Sequence, residues 1–362
     1  MIGFSFKKSF LNQRKKIFQV RTLTVKQIVE LRSQKGDEET VLRGYEQLIP
    51  SSFYFLGRVK ECLIHSPFEN DLKYKQEFKR VFNKVESFLK EMKSKSDSLT
   101  VQEVLILQEK AKNKREEIRE ASSLFVKALG EKSKEKAQTP ILQNFLNKAV
   151  TEFYSNLTKF ECFQNSFSMI CNSFTAKESN VCVQFDLNDL IGEIWRDLEC
   201  LCVEKSYLVP SFSFKKQTEK ILCCNLEEYV FFSLNEMLKN SVYSLQRLKE
   251  NQKVEIKIET TQIDGKVRIV ISDNGTGIEE QRKNQIFDFF FSNAVERIPT
   301  YQIGTQFGEK LQGEGVGLSL SRIYCREMIG GDLKLLQTSQ EKQLRGSIFE
   351  MTFSKNGESQ IL

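Results

Sequence analysis

Apolar residues in the first half of the chain recur at intervals of three and four positions. This spacing places them on one face of a helix and predicts long amphipathic helices. One helix is expected from Thr24, which forms a capping-box sequence with Gln27. Another should begin at Thr139 and Pro140, residue types that suit an N-cap and a first turn. The other helices are predicted at about residues 40–64 (where Pro50 interrupts the apolar stripe), 70–94 and 99–130, and four antiparallel helices would form a bundle.

The second half of the chain alternates between helical and strand-like patterns. After a linker at residues 176–180, Asp186 should cap a helix that runs to about Cys202. A β-hairpin is predicted around Asp264–Gly265, because strand-like runs flank this two-residue turn sequence. The strands are expected at 208–214, 220–224, 254–258, 267–271, 333–337 and 346–353. This order predicts an α+β fold in which helices cover one face of a mixed sheet.

The helix expected in NEMLKNSVYSL, residues 235–245, carries Glu236 and Asn240 off its apolar stripe. Because these residues are four positions apart, their side chains project from neighbouring turns of one face. The amide oxygen of Asn240 suits Mg²⁺, and the carboxylate of Glu236 could accept a proton from an attacking hydroxyl. An ordinary solvated helix face has the same spacing, so this motif alone does not distinguish a metal–phosphate site from a solvated surface.

A glycine-containing turn, DNGTG at residues 273–277, follows the second strand of the hairpin. Glycine lets the backbone approach a flat ligand closely, which fits Gly275 and Gly277. Asp273 would accept a hydrogen bond from the exocyclic amine of adenine, because an ionised carboxylate only accepts. A plain Asn-Gly turn would leave the second glycine and the following Ile278 without explanation.

Two further motifs flank residues 294–311, which are poor in apolar side chains, as is typical of a mobile lid. The first is IFDFFFSN at 286–293, an aromatic group followed by the polar residues Ser292 and Asn293. The second is GEGVGL at 313–318, a glycine loop that leads into an apolar helix. Free backbone N–H groups and the helix dipole make such a helix start a phosphate site. A lone glycine loop is weak evidence, but after the other three motifs it indicates an ATP pocket.

In this order the four motifs resemble the Bergerat-type ATPase fold of histidine kinases, heat-shock chaperones, gyrase and mismatch-repair ATPases. Within that group, the sequences NEMLKNSVYS and SRIYCREMIGGDL (321–333) are similar to the mitochondrial 2-oxo acid dehydrogenase kinases. The stretch TVKQIVEL at 24–31 resembles their entry helix. The resemblance covers residues 22–353 and is more specific over the second half. It implies a helical bundle followed by a Bergerat-type α/β sandwich.

The resemblance also implies an activity and a site. The chain is expected to transfer the γ-phosphate of ATP to a serine of the decarboxylase subunit of a pyruvate or branched-chain dehydrogenase and so inhibit it. Glu236 would be the catalytic base, Asn240 the Mg²⁺ ligand, and a K⁺ site, a homodimer and docking on a lipoyl domain are implied as well. The expected ATP-binding residues are Glu236, Lys239, Asn240, Tyr243, Asp273, Gly275, Gly277, Ser292, Asn293, Gly313, Glu314, Gly315, Val316, Gly317 and Leu318.

Composition narrows the chemistry of this chain of 362 residues, which has the length of two domains. It contains one histidine, which removes most histidine-based catalysis and metal binding, and nine cysteines without metal-like spacing. The cysteines are expected to be small core residues in a reducing compartment. The net charge of +6 comes with no basic–aromatic cluster that would indicate nucleic acid, and no apolar run is long enough to span a bilayer.

The first 29 residues contain basic and apolar side chains but no Asp or Glu. This composition is typical of a mitochondrial presequence, although a disordered basic tail has it too. The matrix is therefore the expected location. The predicted domains are a presequence at 1–21, a four-helix bundle at 22–178, a Bergerat-type ATP-binding kinase domain at 181–356 and a short tail at 357–362.

The sequence departs from the resemblance at two places. Arg115 is expected where these kinases carry a bundle histidine that supports the general base. Only residues 354–362 follow the last strand, so the longer C-terminal arm of pyruvate-type members is expected to be absent.

Three other functions stay open on the sequence. A sensor histidine kinase would need to phosphorylate His65, whose Pro67 does not match the usual context. A nucleotide-gated assembly ATPase would need large domains after the ATPase. A degenerate pocket would bind ATP without turnover, although Glu236 and Asn240 are both present.

Overall fold

The chain divides into a mostly helical unit and a unit built on a β-sheet. The first contains the described residues between 30 and 118 and between 152 and 176, and the second contains 24–29, 140–151 and 184–361. In the computed structural model, the described residues are 23–34, 37–64, 79–80, 83–84, 87, 100–115, 117–118, 140–176, 184–217, 219–248, 253–289, 316–337, 346–358 and 360–361.

Capping residues and buried aromatic side chains define the helices of the first half. They are α1 (Val25–Ser33), α2 (Glu38–Ile64), a segment at 101–115 and α3 (Pro140–Ala176). The capping box at Thr24 is confirmed, because its N–H donates to Gln27 Oε1 at 2.8 Å and the Gln27 N–H donates back to Thr24 Oγ1 at 3.2 Å. The predicted start of the last helix at Pro140 is also confirmed.

The helix predicted at about 40–64 is confirmed, and α2 runs through Pro50 without a break. A proline inside a helix removes one backbone hydrogen bond. Leu48 and Phe53 on either side are buried, and Phe55 stacks on Phe163 of α3 with ring centroids 5.8 Å apart. Packing against α3 therefore outweighs the lost hydrogen bond.

Polar contacts accompany this aromatic core in the helical unit. Gln164 of α3 donates to Ser52 of α2 at 2.8 Å, and Arg58 forms ion pairs with Glu61 and Glu152, both at 2.9 Å. The predicted helix at 70–94 lies almost entirely outside the described residues, so the four-helix count stays a prediction. None of the described helices combines the length and the apolar character needed to cross a membrane.

A mixed five-stranded sheet forms the centre of the second unit, in the order β3-β5-β6-β8-β7. Its strands are β3 (Ser211–Lys216), β5 (Glu255–Ile263), β6 (Lys266–Asp273), β7 (Asp332–Gln337) and β8 (Ser347–Ser354). β3 and β5 are parallel and the other pairs are antiparallel. The predicted hairpin is confirmed: Asp264 and Gly265 have φ angles of 50° and 73°, the two positive values of a type I′ turn.

Three of the described helices cover one face of this sheet, as the order of helices and strands predicted. They are α4 (Leu187–Glu204), α5 (Glu227–Leu245) and α6 (Gly317–Glu327). Asp186 caps α4 as predicted, because its Oδ1 accepts from the Asn188 N–H at 2.9 Å. The covered strand residues are fully buried, among them Ile258, Val267, Ile269, Leu333, Met351 and Phe353. The opposite face carries charged pairs such as Arg268–Glu350.

Two short strand pairs complete the topology. β2 (Phe185–Asp186) pairs with β4 (Leu222–Cys223), and β1 (Leu23–Thr24) pairs with β9 (Gln360–Ile361). The short tail predicted at 357–362 therefore contains a two-residue strand. The Lys26 N–H also donates to the Gly357 carbonyl at 2.8 Å, so main-chain hydrogen bonds hold this end of the chain.

The C-terminal end of α4 is a Schellman motif with serine in the position that glycine usually takes. The Tyr207 N–H donates to the Cys202 carbonyl at 2.8 Å, and the Ser206 N–H donates to the Val203 carbonyl at 3.1 Å. Ser206 has φ 56°, in the left-handed region that is unfavourable for residues with a Cβ.

Ser206→Gly should therefore stabilise the protein. The expected gain in the free energy of unfolding is up to about 1 kcal/mol, because glycine has no Cβ penalty at this φ. Thermal unfolding followed by circular dichroism measures it. Ser206→Ala is the matched control, since it removes the hydroxyl but keeps the Cβ, and an equal gain in that variant would contradict the explanation.

Candidate functional site

Helix α5 presents two adjacent polar faces, one with Glu236, Lys239 and Asn240 and the other with Ser241 and Ser244. With 3.6 residues per turn, these two groups lie side by side around the helix. Lys239 Nζ donates to Glu236 Oε1 at 2.6 Å, and their side chains are only 11% and 13% exposed. The Asn240 side chain is exposed beside this pair. The first face therefore combines a held carboxylate with an accessible amide.

The first residue of α6 lies directly against this carboxylate. A Cβ on Gly317 would be 2.0 Å from Glu236 Oε2, which is closer than any real contact. Only glycine fits here while Glu236 keeps its position. The structure thus brings together the glutamate of the first motif and the last glycine of the fourth.

The start of α6 also lacks the usual side-chain cap. Val316 occupies the N-cap position and makes no side-chain hydrogen bond to the helix. The first N–H groups of a helix have no partner within the helix itself. An anion can bind such groups, and the helix dipole favours it. The geometry at Val316, Gly317 and Leu318 therefore suits a phosphate.

Asp273 forms the centre of the second face and is 7% exposed. Its Oδ1 accepts from the Ser244 hydroxyl at 3.2 Å and from the Gly275 N–H at 2.9 Å. Its Oδ2 accepts from the hydroxyls of Ser241 at 3.2 Å and Ser347 at 2.6 Å. Donors from α5, from β8 and from the turn after β6 therefore orient one carboxylate.

The neighbouring Asn274 has a structural role in the same turn. Its Oδ1 accepts from the Glu255 N–H at 2.8 Å, and its Nδ2 donates to the Lys253 carbonyl at 2.6 Å. These contacts attach the turn to the start of β5. Gly277 has φ 71°, which confirms the need for glycine that the motif predicted.

Residues of α6 connect the aromatic motif to the sheet. The guanidinium of Arg322 lies 4.4 Å from the ring centroid of Phe287, and its Nε is 3.6 Å from Asp332 Oδ1. Burial raises the pKa of Asp288, and the positive charge of Arg322 acts in the opposite direction. Tyr324 is fully buried and packs edge-on against Tyr229 of α5, with centroids 4.9 Å apart. The SRIY sequence is therefore mainly a packing motif.

The structure places ten of the predicted site residues and leaves five outside the described part of the chain. Those described are Glu236, Lys239, Asn240, Tyr243, Asp273, Gly275, Gly277, Val316, Gly317 and Leu318. Tyr243 forms a local pair with Arg247, whose guanidinium lies 4.8 Å from its ring. Those outside are Ser292, Asn293, Gly313, Glu314 and Gly315, together with His65 and the expected lid.

Sequence reasoning missed the three serines around Asp273. Ser241 and Ser244 lie three positions apart within the same helical motif as Glu236, so their nearness to each other could be predicted. Their nearness to Asp273 depends on how α5 crosses the sheet. That of Ser347 depends on the register between β6 and β8, in which Asp273 is paired with Ser347.

Residues 229–357 match the family described as "Histidine kinase-, DNA gyrase B-, and HSP90-like ATPase". The chain contains a Bergerat-type ATPase domain. The matched range includes α5, the hairpin, α6 and the last strands of the main sheet, and so it includes both faces of α5 and Asp273. The fold class predicted from the sequence is confirmed.

Comparison with curated proteins finds distant relatives of this chain. The chain is 26% identical over 212 residues to pyruvate dehydrogenase (acetyl-transferring) kinase isozyme 4, mitochondrial, of Homo sapiens, covering 55% of this chain and 50% of that protein. It is 24% identical over 161 residues to pyruvate dehydrogenase (acetyl-transferring) kinase, mitochondrial, of Drosophila melanogaster, covering 42% and 38%. The chain thus spans about half the length, or less, of these relatives.

Among solved structures, the catalytic domain of the histidine kinase ThkA is similar. The sequence identity is 23% and the TM-score is 0.35, and the match covers 48% of this chain and 94% of that domain.

Gly317→Ala should displace the Glu236 carboxylate without unfolding the protein. The nearest atoms to the new Cβ belong to the end of the flexible Glu236 side chain, which can rotate away at the expense of its pair with Lys239. A crystal structure of the variant measures the displacement, and thermal unfolding measures stability.

Gly192→Ala in α4 is the matched control, because a Cβ there meets nothing within 4 Å. It should stabilise its helix by roughly 0.5–1 kcal/mol, and Gly317→Ala should gain less. An unmoved Glu236 in the Gly317→Ala structure would show that this contact does not position the carboxylate.

Proposed function

We propose that this chain is an ATP-dependent protein kinase whose nucleotide site lies along α5 and the start of α6. The observation that carries the proposal is the contact between Gly317 and Glu236. It puts an acid–base group beside the uncapped helix start that suits the phosphates. Asp273, oriented by four donors, would accept from the adenine amine at the second face of α5.

A magnesium ion fits this donor set. The described residues include no group of three or more His, Cys, Asp or Glu side chains that could hold a metal by themselves. Mg²⁺ at nucleotide sites typically uses one or two protein oxygens and the substrate phosphates. The exposed amide of Asn240, one turn from Glu236, would be such a ligand. The bound ion would offset negative charge on the phosphates.

Glu236 would orient or deprotonate the attacking hydroxyl. Its ion pair with Lys239 holds Oε1, while Oε2 faces the start of α6. The carboxylate therefore has a fixed direction, which positioning of a nucleophile requires. Because phosphoryl transfer is largely dissociative, orientation contributes more than base strength.

We propose the decarboxylase subunit of a 2-oxo acid dehydrogenase as the protein substrate, with serine as the acceptor and inhibition as the result. The names of the distant relatives and the SRIYCREMIGGDL sequence support this choice. The same proposal includes docking on a lipoyl domain, a homodimeric state, a K⁺ site and a location in the mitochondrial matrix. Histidine kinase activity is the second candidate, because the matching family description includes those enzymes.

A phosphorylation assay tests the proposal. The purified chain is incubated with radiolabelled ATP, Mg²⁺ and, separately, the pyruvate and branched-chain dehydrogenase complexes, and the phosphosites are mapped. We expect acid-stable label on a serine of one decarboxylase subunit. Acid-labile label on His65 of this chain would instead support the histidine kinase, and ATP binding without transfer would indicate a degenerate pocket.

Two variants of the same chain should separate the proposed roles. Glu236→Gln should keep ATP affinity and lower turnover at least tenfold, which corresponds to roughly 1.4 kcal/mol of activation barrier. General-base assistance is typically worth about 10²–10⁴-fold in rate, so the loss should lie in that range or just below it. Asp273→Ala should mainly reduce ATP affinity, measured by calorimetry. It should also lower stability, because it leaves the buried Ser241 and Ser347 hydroxyls without this acceptor. Near-normal turnover of Glu236→Gln would show that Glu236 takes no part in catalysis.

Residues 1–29 should direct a fused reporter into mitochondria, because the stretch is basic and free of Asp and Glu. Fluorescence microscopy and fractionation measure the location. A control reporter carries the same residues with Lys7, Lys8, Arg14 and Lys15 changed to Glu, and it should stay in the cytosol. Equal import of both reporters, or a cytosolic location of the first, would contradict the presequence.

A further inference from the structure

The carboxylate of Asp273 has no free acceptor site in the structure. An ionised carboxylate has two oxygens with about four lone-pair directions. Four donors already use them: Ser244 and the Gly275 N–H on Oδ1, and Ser241 and Ser347 on Oδ2. An amine that arrives from a nucleotide base must therefore displace one of these donors or share its site.

Three of the four donors are poor candidates for displacement. Ser347 makes the shortest contact, 2.6 Å, and is 7% exposed. The Gly275 N–H belongs to the backbone of the turn that Asn274 attaches to β5. Ser241 is 2% exposed, and the structure gives its hydroxyl no second acceptor within the described residues. Moving any of them would leave a buried donor without a partner, which is costly.

Ser244 differs from the others in having a second acceptor. Its Oγ is 3.2 Å from Asp273 Oδ1 and 3.1 Å from the Ser241 carbonyl oxygen. A hydroxyl carries one proton and rotates freely, so it can donate to one acceptor or the other. The side chain is also half-buried, unlike that of Ser241. Ser244 can therefore leave Asp273 and still be hydrogen-bonded.

We propose that Ser244 is an exchangeable hydrogen-bond donor to Asp273. Its exchange with the amino group of the nucleotide base would set how strongly the site prefers nucleotides that carry this group. Without nucleotide its hydroxyl occupies Asp273 Oδ1, and when a 6-aminopurine binds, the hydroxyl turns to the Ser241 carbonyl and the amine takes its site. The absence of a side chain at residue 275 leaves the hydroxyl its place, since a Cβ on Gly275 would be 2.0 Å from Ser244 Oγ. This inference rests on the proposed ATP site. Ser244 acts through Asp273 and is a positioning residue.

Calorimetry on the full chain with two nucleotides tests the exchange. The probes are ATP and purine riboside triphosphate, which lacks the amine and so cannot displace Ser244. In Ser244→Ala the ATP affinity should change little, because the hydroxyl that the amine displaces in the unaltered protein stays hydrogen-bonded to the Ser241 carbonyl. The affinity for purine riboside triphosphate should fall roughly fivefold, the factor for about one hydrogen bond, because Asp273 Oδ1 then has neither the hydroxyl nor an amine as a donor at this site. The ratio of the two affinities is the readout, because a general structural effect would move both equally.

Ser241→Ala is the matched control, since it removes a hydroxyl at the same 3.2 Å distance from the other carboxylate oxygen. Its affinity ratio should equal that of the unaltered protein, because Ser241 is 2% exposed and Ser347 still donates to Oδ2. Ser244→Cys should give an intermediate affinity ratio, because a thiol is a weaker donor. This variant replaces Ser244→Ala in the test if Ser244→Ala folds poorly.

The outcomes separate this inference from the proposed function. Equal ratios in the unaltered protein, Ser244→Ala and Ser241→Ala, with ATP bound in all three, would overturn the inference alone. A rise of the same size in Ser241→Ala would also overturn it. No binding of either nucleotide by the unaltered protein would overturn the proposed site and the inference together.

Discussion

The hydrogen bonding of one buried carboxylate determines how the ATPase domain is put together. Asp273 ends the second strand of the hairpin, where burial of an unpaired charge would cost several kcal/mol. Its donors come from α5, from the first residue of β8 and from the turn that follows. Helix, sheet and turn must therefore meet in one arrangement to satisfy it. The same arrangement fixes the direction in which the carboxylate can meet a ligand.

Helix α5 extends this arrangement to the second half of the site. Its serine face contacts Asp273, and the adjacent face carries Glu236 and Lys239 against the start of α6. Both faces belong to one helix. The residues proposed to bind adenine and the residues proposed to lie beside the phosphates therefore have a fixed spacing. Tyr324 holds α6 to the same helix by packing against Tyr229. The site is thus supported by packed elements at both ends.

The features that sequence predicted best are those that local chemistry determines. The capping box at Thr24, the cap at Asp186 and the type I′ turn at Asp264–Gly265 depend on a few adjacent residues, and all three are confirmed. The continuation of α2 through Pro50 depends on more than local propensity, because Phe55 packs on Phe163 of another helix. The motifs singled out Glu236 and Asp273, whose roles in binding and catalysis stay predictions. The serines around Asp273 stayed hidden because they depend on helix crossing and strand register, which no single stretch encodes.

The close approach of Gly317 to Glu236 has a consequence for comparing related genes. At this position the missing methyl group is itself a structural requirement, because any side chain would push the carboxylate away. A relative that carries alanine or a larger residue here would need a different way to direct this carboxylate. Under the proposed function, residue 317 is a marker that separates chains able to hold the carboxylate in this position from chains that are not. It can be read from a gene sequence before any protein is made.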